Sequence, residues 1–511
     1  MPVDFLNADQ EQRYGRFAGE PSSAQLLRYF VLSDADRERV DARRGDHNRL
    51  GFAVQLGTVR FLGTFLADPT AVPAGVVAFV ATQLGIADPG CLTGYSQRDP
   101  THRDHAGAIQ LDYGYRDFSN PAEHFALLRW LYARAWVSAE RPSVLFDHAT
   151  ARLVERKVLL PGVTVLTRLI AQVRDRAADR LWRTLASAPS LAQRARLESL
   201  LTTAEGARYS TFDRLRRAPT TASAAGLVGA LERIREVREF GVSAIDISAV
   251  PSGRVTALAR YAGAARAQAL ARMGDERRVA TLLAFVRRLE ITAVDDALDV
   301  FDILVGTLLA RVERIGQRER LRALPTLDLA ARRLREACMI LLDGEHNDLE
   351  ALRVAVFQRV SQRDLEGAVE VVGSLTRLPD DHHYEDLLSR YPQVRRFLPK
   401  LLHTIDFSST AAGQSVVSAV HALRDIEGWH RVRAGDVPLE VVSGSWRRLV
   451  VSPTGDVDRR AYTFCVLDRL REALRRREVF VANERAVGRP SRQASPRNGV
   501  GSGASVDMPS A

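Results

Sequence analysis

Lysine is almost missing from this chain: of its 72 basic residues only Lys157 and Lys400 are lysine, and the rest are arginine. Two explanations stand for that bias. An arginine- and alanine-rich composition follows from a skewed genome, and arginine also suits phosphate, which its planar fork binds through two parallel hydrogen bonds. Neither explanation removes the net charge of +10. A basic excess of that size favours polyanionic partners, nucleic acid first.

Cysteine is scarce as well. Cys91, Cys338 and Cys465 lie far apart, which excludes a disulfide framework and a zinc site built from cysteine pairs. They read as buried thiols in a reducing compartment. Long apolar runs are absent, so no membrane span is expected. The N-terminus carries Asp4, Asp9 and Glu11 and lacks the basic-then-apolar pattern of an export signal. The expected location is the cytoplasm, beside the nucleoid. No P-loop occurs, and the glycines at 499–503 have neither a strand before them nor a helix after them. No Gly-x-Ser-x-Gly has the strand–turn–helix setting of a hydrolase.

What is present is helical periodicity, from Pro21 to about Val481, with little period-two alternation. A mainly α, multi-domain protein is expected. Its most informative stretch runs from Ser33 to Gly63. Ser33 is a candidate N-cap, with Asp34, Asp36 and Glu38 in the first turns where the helix dipole favours acids. Gly45 is a candidate stop. A second helix then opens with Asp46-His47-Asn48-Arg49 and continues with Leu50, Val54, Gly57 and Phe61 at helical spacing. Two helices joined by a glycine turn, the second one basic, give the outline of a helix-turn-helix. Arg43, Arg44, His47, Asn48, Arg49, Gln55 and Arg60 are the candidate DNA contacts, since arginine, asparagine and glutamine pair bidentately with base edges.

Several separated motifs occur here in one order: Met1-Pro2-Val3-Asp4-Phe5-Leu6, Tyr14-Gly15-Arg16-Phe17, Gly19-Glu20-Pro21, Gly45-Asp46-His47-Asn48-Arg49-Leu50-Gly51-Phe52 and Gln55-Leu56-Gly57-Thr58-Val59-Arg60-Phe61-Leu62-Gly63. Further along come Leu258–Ala262, Arg277–Arg287, Asp295–Asp302 and Asp458–Tyr462. Together they resemble the Tn-three family of replicative, cointegrate-forming transposases, from residue 1 to about Val481. The resemblance implies a DNA-binding N-terminal domain over 1–120, a second helical DNA-binding region over 121–247, a long-helix scaffold or dimerisation region over 248–345 and a helical linker over 346–482. It implies double-stranded DNA as partner, at the transposon's terminal inverted repeats, and a homodimer or a heterodimer with an intact transposase. In that family three acidic residues on a ribonuclease-H-like domain hold two Mg²⁺ ions, a clamp suited to phosphoryl transfer. That domain follows the point matching Val479-Phe480-Val481. Here the likeness stops there, and 483–511 is a Gly/Ser/Pro/Ala-rich stretch expected to be disordered. The expectation is therefore a DNA-binding portion lacking the catalytic domain, with no catalytic residue, metal or cofactor of its own. The alternatives are an interaction protein that dimerises with an intact transposase, or an active transposase.

Other stretches invite a function. Arg208-Tyr209-Ser210-Thr211-Phe212-Asp213-Arg214-Leu215-Arg216-Arg217 interleaves aromatic and basic residues as a nucleic-acid surface does, with Arg208, Arg214, Arg216 and Arg217 as candidate contacts. The same pattern also fits a helix edge with two buried aromatics. The segment 163–186 carries Arg168, Arg174, Arg176, Arg180 and Arg183 around an apolar stripe, as DNA-facing or simply solvated charge. Asp295, Asp299 and Asp302 fall on one helical face, and carboxylates suit Mg²⁺, though an exposed acidic face needs no metal. Asp380-Asp381-His382-His383-Tyr384-Glu385-Asp386 reads as a polar helix start after Pro379, because adjacent histidines diverge on a helix.

Overall fold

The computed structural model describes residues 5–97, 99–343, 348–375 and 387–481. The histidine-bearing cluster at 380–386 and the tail at 483–511 lie outside the described residues. The chain divides into two compact units, Met1–Arg216 with Phe240–Arg288, and Arg217–Glu239 with Leu289–Ala511. These units cut across the five stretches named from sequence. The small-residue segment 220–226 contains the start of a helix, Ala224–Glu239, whose first turn is capped by the Ser223 hydroxyl at 3.1 Å from the Gly226 amide.

The first unit is organised around the helix Asp46–Leu62. Ser33 caps the preceding helix, Asp34–Asp41, in a reciprocal box with Asp36, which satisfies two backbone donors at once. Gly45 adopts φ 84° between the two helices, a conformation that costs a glycine little. The second helix is not half-solvated, as a single apolar stripe predicts. All ten residues from Leu50 to Val59 are buried. Ser23–Tyr29, Asp34–Asp41, Ala74–Leu84, the 3₁₀ segment Pro89–Gln97 and Asp99–Asp112 pack around it. A helix apolar on every side is stable only when enclosed. Two glycines make room: a β-carbon at Gly57 would enter the Phe30 ring, and one at Gly51 the Tyr95 ring.

A second core in the same unit joins Pro121–Val137, Pro142–Glu155 and Val163–Ser187 through Leu131, Phe146, Leu166 and Ile170. The prolines at 121 and 142 open their helices at the first position, where the missing N–H costs nothing. Tyr14 ties the N-terminal segment down by donating to the Pro161 carbonyl at 2.9 Å. Buried Glu123 takes Arg116 and Arg156.

The second unit packs Ala224–Glu239 against Tyr391–Thr404, with Gln414–Asp425, Arg459–Arg476 and residues 289–312 of the helix Asp275–Leu342 around one core. Phe407–Ser409 and Val479–Val481 form an antiparallel pair, with Phe407 opposite Val481. Leu449 and Val450 close the helix Gly444–Val450, in which Trp446 and Val450, four residues apart, both face the core. Cysteine burial is uneven: Cys465 is buried, Cys91 intermediate and Cys338 exposed.

The glycine contacts predict opposite outcomes for one substitution. Alanine gains up to about 1 kcal/mol over glycine in a helix, but overpacking a filled core costs about 1–3 kcal/mol. Gly57→Ala should lower the thermal midpoint. Gly107→Ala, on the exposed side of Asp99–Asp112 with nothing within 4 Å of its added carbon, should hold or raise it. Equal midpoints in a melting series would contradict the packing described.

Candidate nucleic-acid interface

The candidate contacts at 43–60 fall into two groups. Arg44 and His47 are exposed at the glycine turn, where the first turn of Asp46–Leu62 emerges. Arg43 lies beside them with its guanidinium 4.5 Å from the centre of the Phe52 ring. Asn48 donates to the Arg44 carbonyl at 2.8 Å, and Arg49 reaches Asp41 at 2.6 Å and Asp46 at 3.3 Å. Those two side chains fasten the turn.

Gln55 and Arg60 are elsewhere. Gln55 is 5% exposed and donates to the His102 carbonyl at 3.2 Å. Arg60 pairs with buried Asp36 at 2.9 Å, and its guanidinium lies 5.3 Å from the Tyr113 ring centre. Burial alone would raise the Asp36 carboxyl, but hydrogen bonds from Arg60, Tyr113 and Ser33 outweigh it and pull it down to about 2. Because the whole midsection of the helix is enclosed, the helix-turn-helix outline supplies two helices and a turn without a free recognition face. The helix's leading turn is exposed, and its last turn, Arg60 to Leu62, is half-buried.

That turn rests on a buried relay. The Phe52 ring meets His105 edge-on at 5.3 Å, and His105 Nδ1 lies 2.8 Å from the Tyr95 hydroxyl. Burial first, and the Arg43 charge second, push the His105 imidazole down to about 4. The two groups share one hydrogen bond, from the Tyr95 hydroxyl to a bare Nδ1 or from a protonated Nδ1 to that hydroxyl according to the tautomer.

At 208–217 one aromatic is buried and the other is not, since Tyr209 is exposed. Phe212 is fully buried and meets Phe285 at 4.5 Å between ring centres. Arg216 donates to the Ala265 carbonyl at 2.7 Å and pairs with Asp213. Arg208, Tyr209, Arg214 and Arg217 are exposed. Along Val163–Ser187, Arg168, Arg174, Arg176, Arg180 and Arg183 are all exposed. Sequence reasoning missed how this face is completed: Arg180 stacks on Trp136 at 4.3 Å, and Arg277 lies over both Trp182 at 4.9 Å and Tyr261 at 5.7 Å. No spacing signal links those residues, which come from four helices.

Two of the acids at 295–302, Asp296 and Asp302, serve as ion-pair partners. Asp302 accepts from Arg475 at 2.7 and 2.9 Å and lies 3.1 Å from Arg471, and the neighbouring Asp296 pairs with Arg233. Among the described residues no group of three His, Cys, Asp or Glu side chains is placed to hold a metal ion.

A family model described as a domain of unknown function, DUF4158, matches residues 5–173, the stretch that contains the turn and its relay. The chain is 43% identical over 490 residues to the transposase for transposon gamma-delta of Escherichia coli (strain K12), covering 96% of this chain and 49% of that relative. The chain belongs to the Tn-three family of transposases. Other relatives include the transposase for transposon Tn4556 of Streptomyces fradiae, 37% identical over 56% of this chain and 35% of that protein. The transposase for transposon Tn501 of Pseudomonas aeruginosa is 27% identical over 91% of this chain and 47% of its own length. This family member spans about half the length, or less, of these curated relatives. Among its described residues no single helix is long and apolar enough to cross a membrane.

The relay under the turn makes this transposase-family chain sensitive to acid. The His105 imidazole titrates lower in the folded chain than unfolded, so the unfolded state binds more protons between pH 6.5 and about 4, and stability falls as pH drops through that window. The full contribution is about 3 kcal/mol. Urea unfolding at pH 7 and pH 4.5 should show a larger loss for the wild type than for His105→Gln; equal losses would rule out a buried neutral imidazole.

Proposed function

We propose that this chain is the DNA-binding portion of a transposase and that it recognises the terminal inverted repeats of its transposon as duplex DNA. The observation that carries the reading is the contrast within the first unit. Arg49 and Arg60 are committed to carboxylates, whereas Arg44 and His47 project from a rigid turn above a closed core. A backbone held that way has little freedom left to lose when its side chains meet a phosphate or a base edge. The exposed arginines of Val163–Ser187 and Arg208, Arg214 and Arg217 add sequence-independent attraction to the backbone. Arg216 and Gln55 hold the domain together and are assigned no contact with DNA.

Strand cleavage is not assigned to the described residues. Of the acids whose spacing suggests a metal site, Asp302 is engaged by Arg471 and Arg475, and the family's Mg²⁺ chemistry belongs to the domain that follows residue 481 in the resemblance.

A purified chain should bind a duplex of its own element's terminal repeat at least about tenfold tighter than a scrambled duplex, with log affinity falling linearly in log salt. Arg44→Ala together with His47→Ala should cost about tenfold on the repeat. Gln55→Ala should lower the melting temperature and leave the preference for the repeat intact. Equal affinity for repeat and scrambled duplex would overturn the reading.

A second reading concerns self-association. Leu321, Leu324, Met339 and Leu342 are exposed along one side of Asp275–Leu342, flanked by Arg322, Arg332 and Arg335 and by Asp328 and Glu336. A face carrying both signs of charge beside an apolar row is self-complementary, which suits an isologous pair of chains. Light scattering should report a dimer for the wild type and a monomer for Leu324→Glu with Met339→Glu; a wild-type monomer across the micromolar range would exclude it.

A further inference from the structure

Trp429, in the second unit, is 48% exposed at the tip of a loop that is otherwise firmly built. Its amide donates to the Ile426 carbonyl at 3.1 Å, and Arg459 donates to its own carbonyl at 3.3 Å. Gly428 before it takes φ 90°, a bend that spares a β-carbon. After it, Arg431 grips Asp456 through two bonds of 2.8 Å. The Val457 amide donates to the Val432 carbonyl and the Ala434 amide to the Gly455 carbonyl, at 2.8 and 3.0 Å. Val432, Val437 and Val457 point inward and are buried. These bonds tie the loop to the core on both sides of an exposed indole, with the exposed His430 beside it.

The nearby acids Asp456, Asp458 and Glu427 are each paired, with Arg431, Arg460 and His403. Arg433, Arg447, Arg448 and Arg460 are exposed around this loop, and Arg459 is half-buried under it. Arg459 and Arg460 occupy the first turn of the helix Arg459–Arg476, the positive end of the dipole, where cations are unfavourable and anions welcome. Asp458 caps that end and takes Arg460 at 3.2 Å, which balances one charge of the set. An arginine-rich setting argues for a phosphate-bearing partner. A flat exposed indole within it argues for a base free to stack, which a paired duplex does not offer.

We propose that the Trp429 loop is a second DNA-contact surface, one that takes an unpaired stretch of strand. A base stacks on the indole, and the adjoining phosphates meet the exposed Arg433, Arg447 and Arg448. This surface lies in the second unit and is independent of the repeat-reading turn in the first.

The probes are a short oligodeoxythymidylate, an abasic deoxyribose-phosphate strand of the same length, and the terminal-repeat duplex, each titrated against the full chain. The wild type should bind the oligodeoxythymidylate about tenfold tighter than the abasic strand. Trp429→Ala should remove that difference, Trp429→Phe should restore most of it, and neither should change affinity for the duplex. Arg447→Gln with Arg448→Gln should weaken both single strands and flatten their salt dependence. Equal binding of the two single strands by the wild type would overturn the proposal. So would a Trp429→Ala chain that binds like the wild type, a result that would leave the indole to a protein neighbour. Loss of the duplex preference alone would count against repeat recognition and not against this surface.

Discussion

The first unit depends on how closely two aromatic rings approach one helix backbone. Phe30 lies against Gly57 and Tyr95 against Gly51, so that Asp46–Leu62 is enclosed by neighbours over ten consecutive residues. Any side chain at either position would hold the neighbours off. Dense enclosure of this sort leaves no slack to absorb volume. It also fixes the direction in which the helix's leading turn faces, because a helix buried along its length cannot roll. The exposed Arg44 and His47 inherit their placement from that packing.

The same enclosure decides which polar residues are available. Asp36, 2% exposed, draws in Arg60 and Tyr113. A carboxylate left alone at that depth would be costly, and partners that hydrogen-bond its charged form make it tolerable. Glu123 is treated in the same way by Arg116 and Arg156. Much of the arginine in this chain is thereby structural. In the second unit, Asp302 gathers Arg471 and Arg475 and fastens the helix Arg459–Arg476 to residues 289–312 of the core. A net charge of +10 overstates the basic surface offered to a partner. The arginines left over are the informative ones, and they gather at the glycine turn, along Val163–Ser187 and around Trp429.

Much of the helical layout was legible in local chemistry. Ser33, Gly85, Gly114, Asn120 with Pro121, and Pro142 each stand at or beside a helix terminus in the structure. The reason is that caps and breakers act over three or four residues. Gln55 shows where such reading stops. On a polar-to-apolar helix it has the chemistry of a base-reading residue, and nothing in its neighbours reveals that the His102 carbonyl, 47 positions away, waits for its amide. Phe212 and Arg216 were likewise ambiguous until Phe285 and Ala265 came alongside.

By itself the sequence determined the helical class, most helix ends, the basic balance and, through several motifs in a fixed order, membership of a transposase family. Those properties are set by residues close in the chain or by composition. Only the tertiary structure decided that Asp46–Leu62 is a buried axis, that Asp302 is an ion-pair partner of Arg475, that Cys338 is exposed while Cys465 is not, and that Trp429 stands out from a hydrogen-bonded loop. Each of those depends on which distant segment comes to lie beside it. Periodicity states that a face is apolar, and it does not state how many neighbours will cover the others.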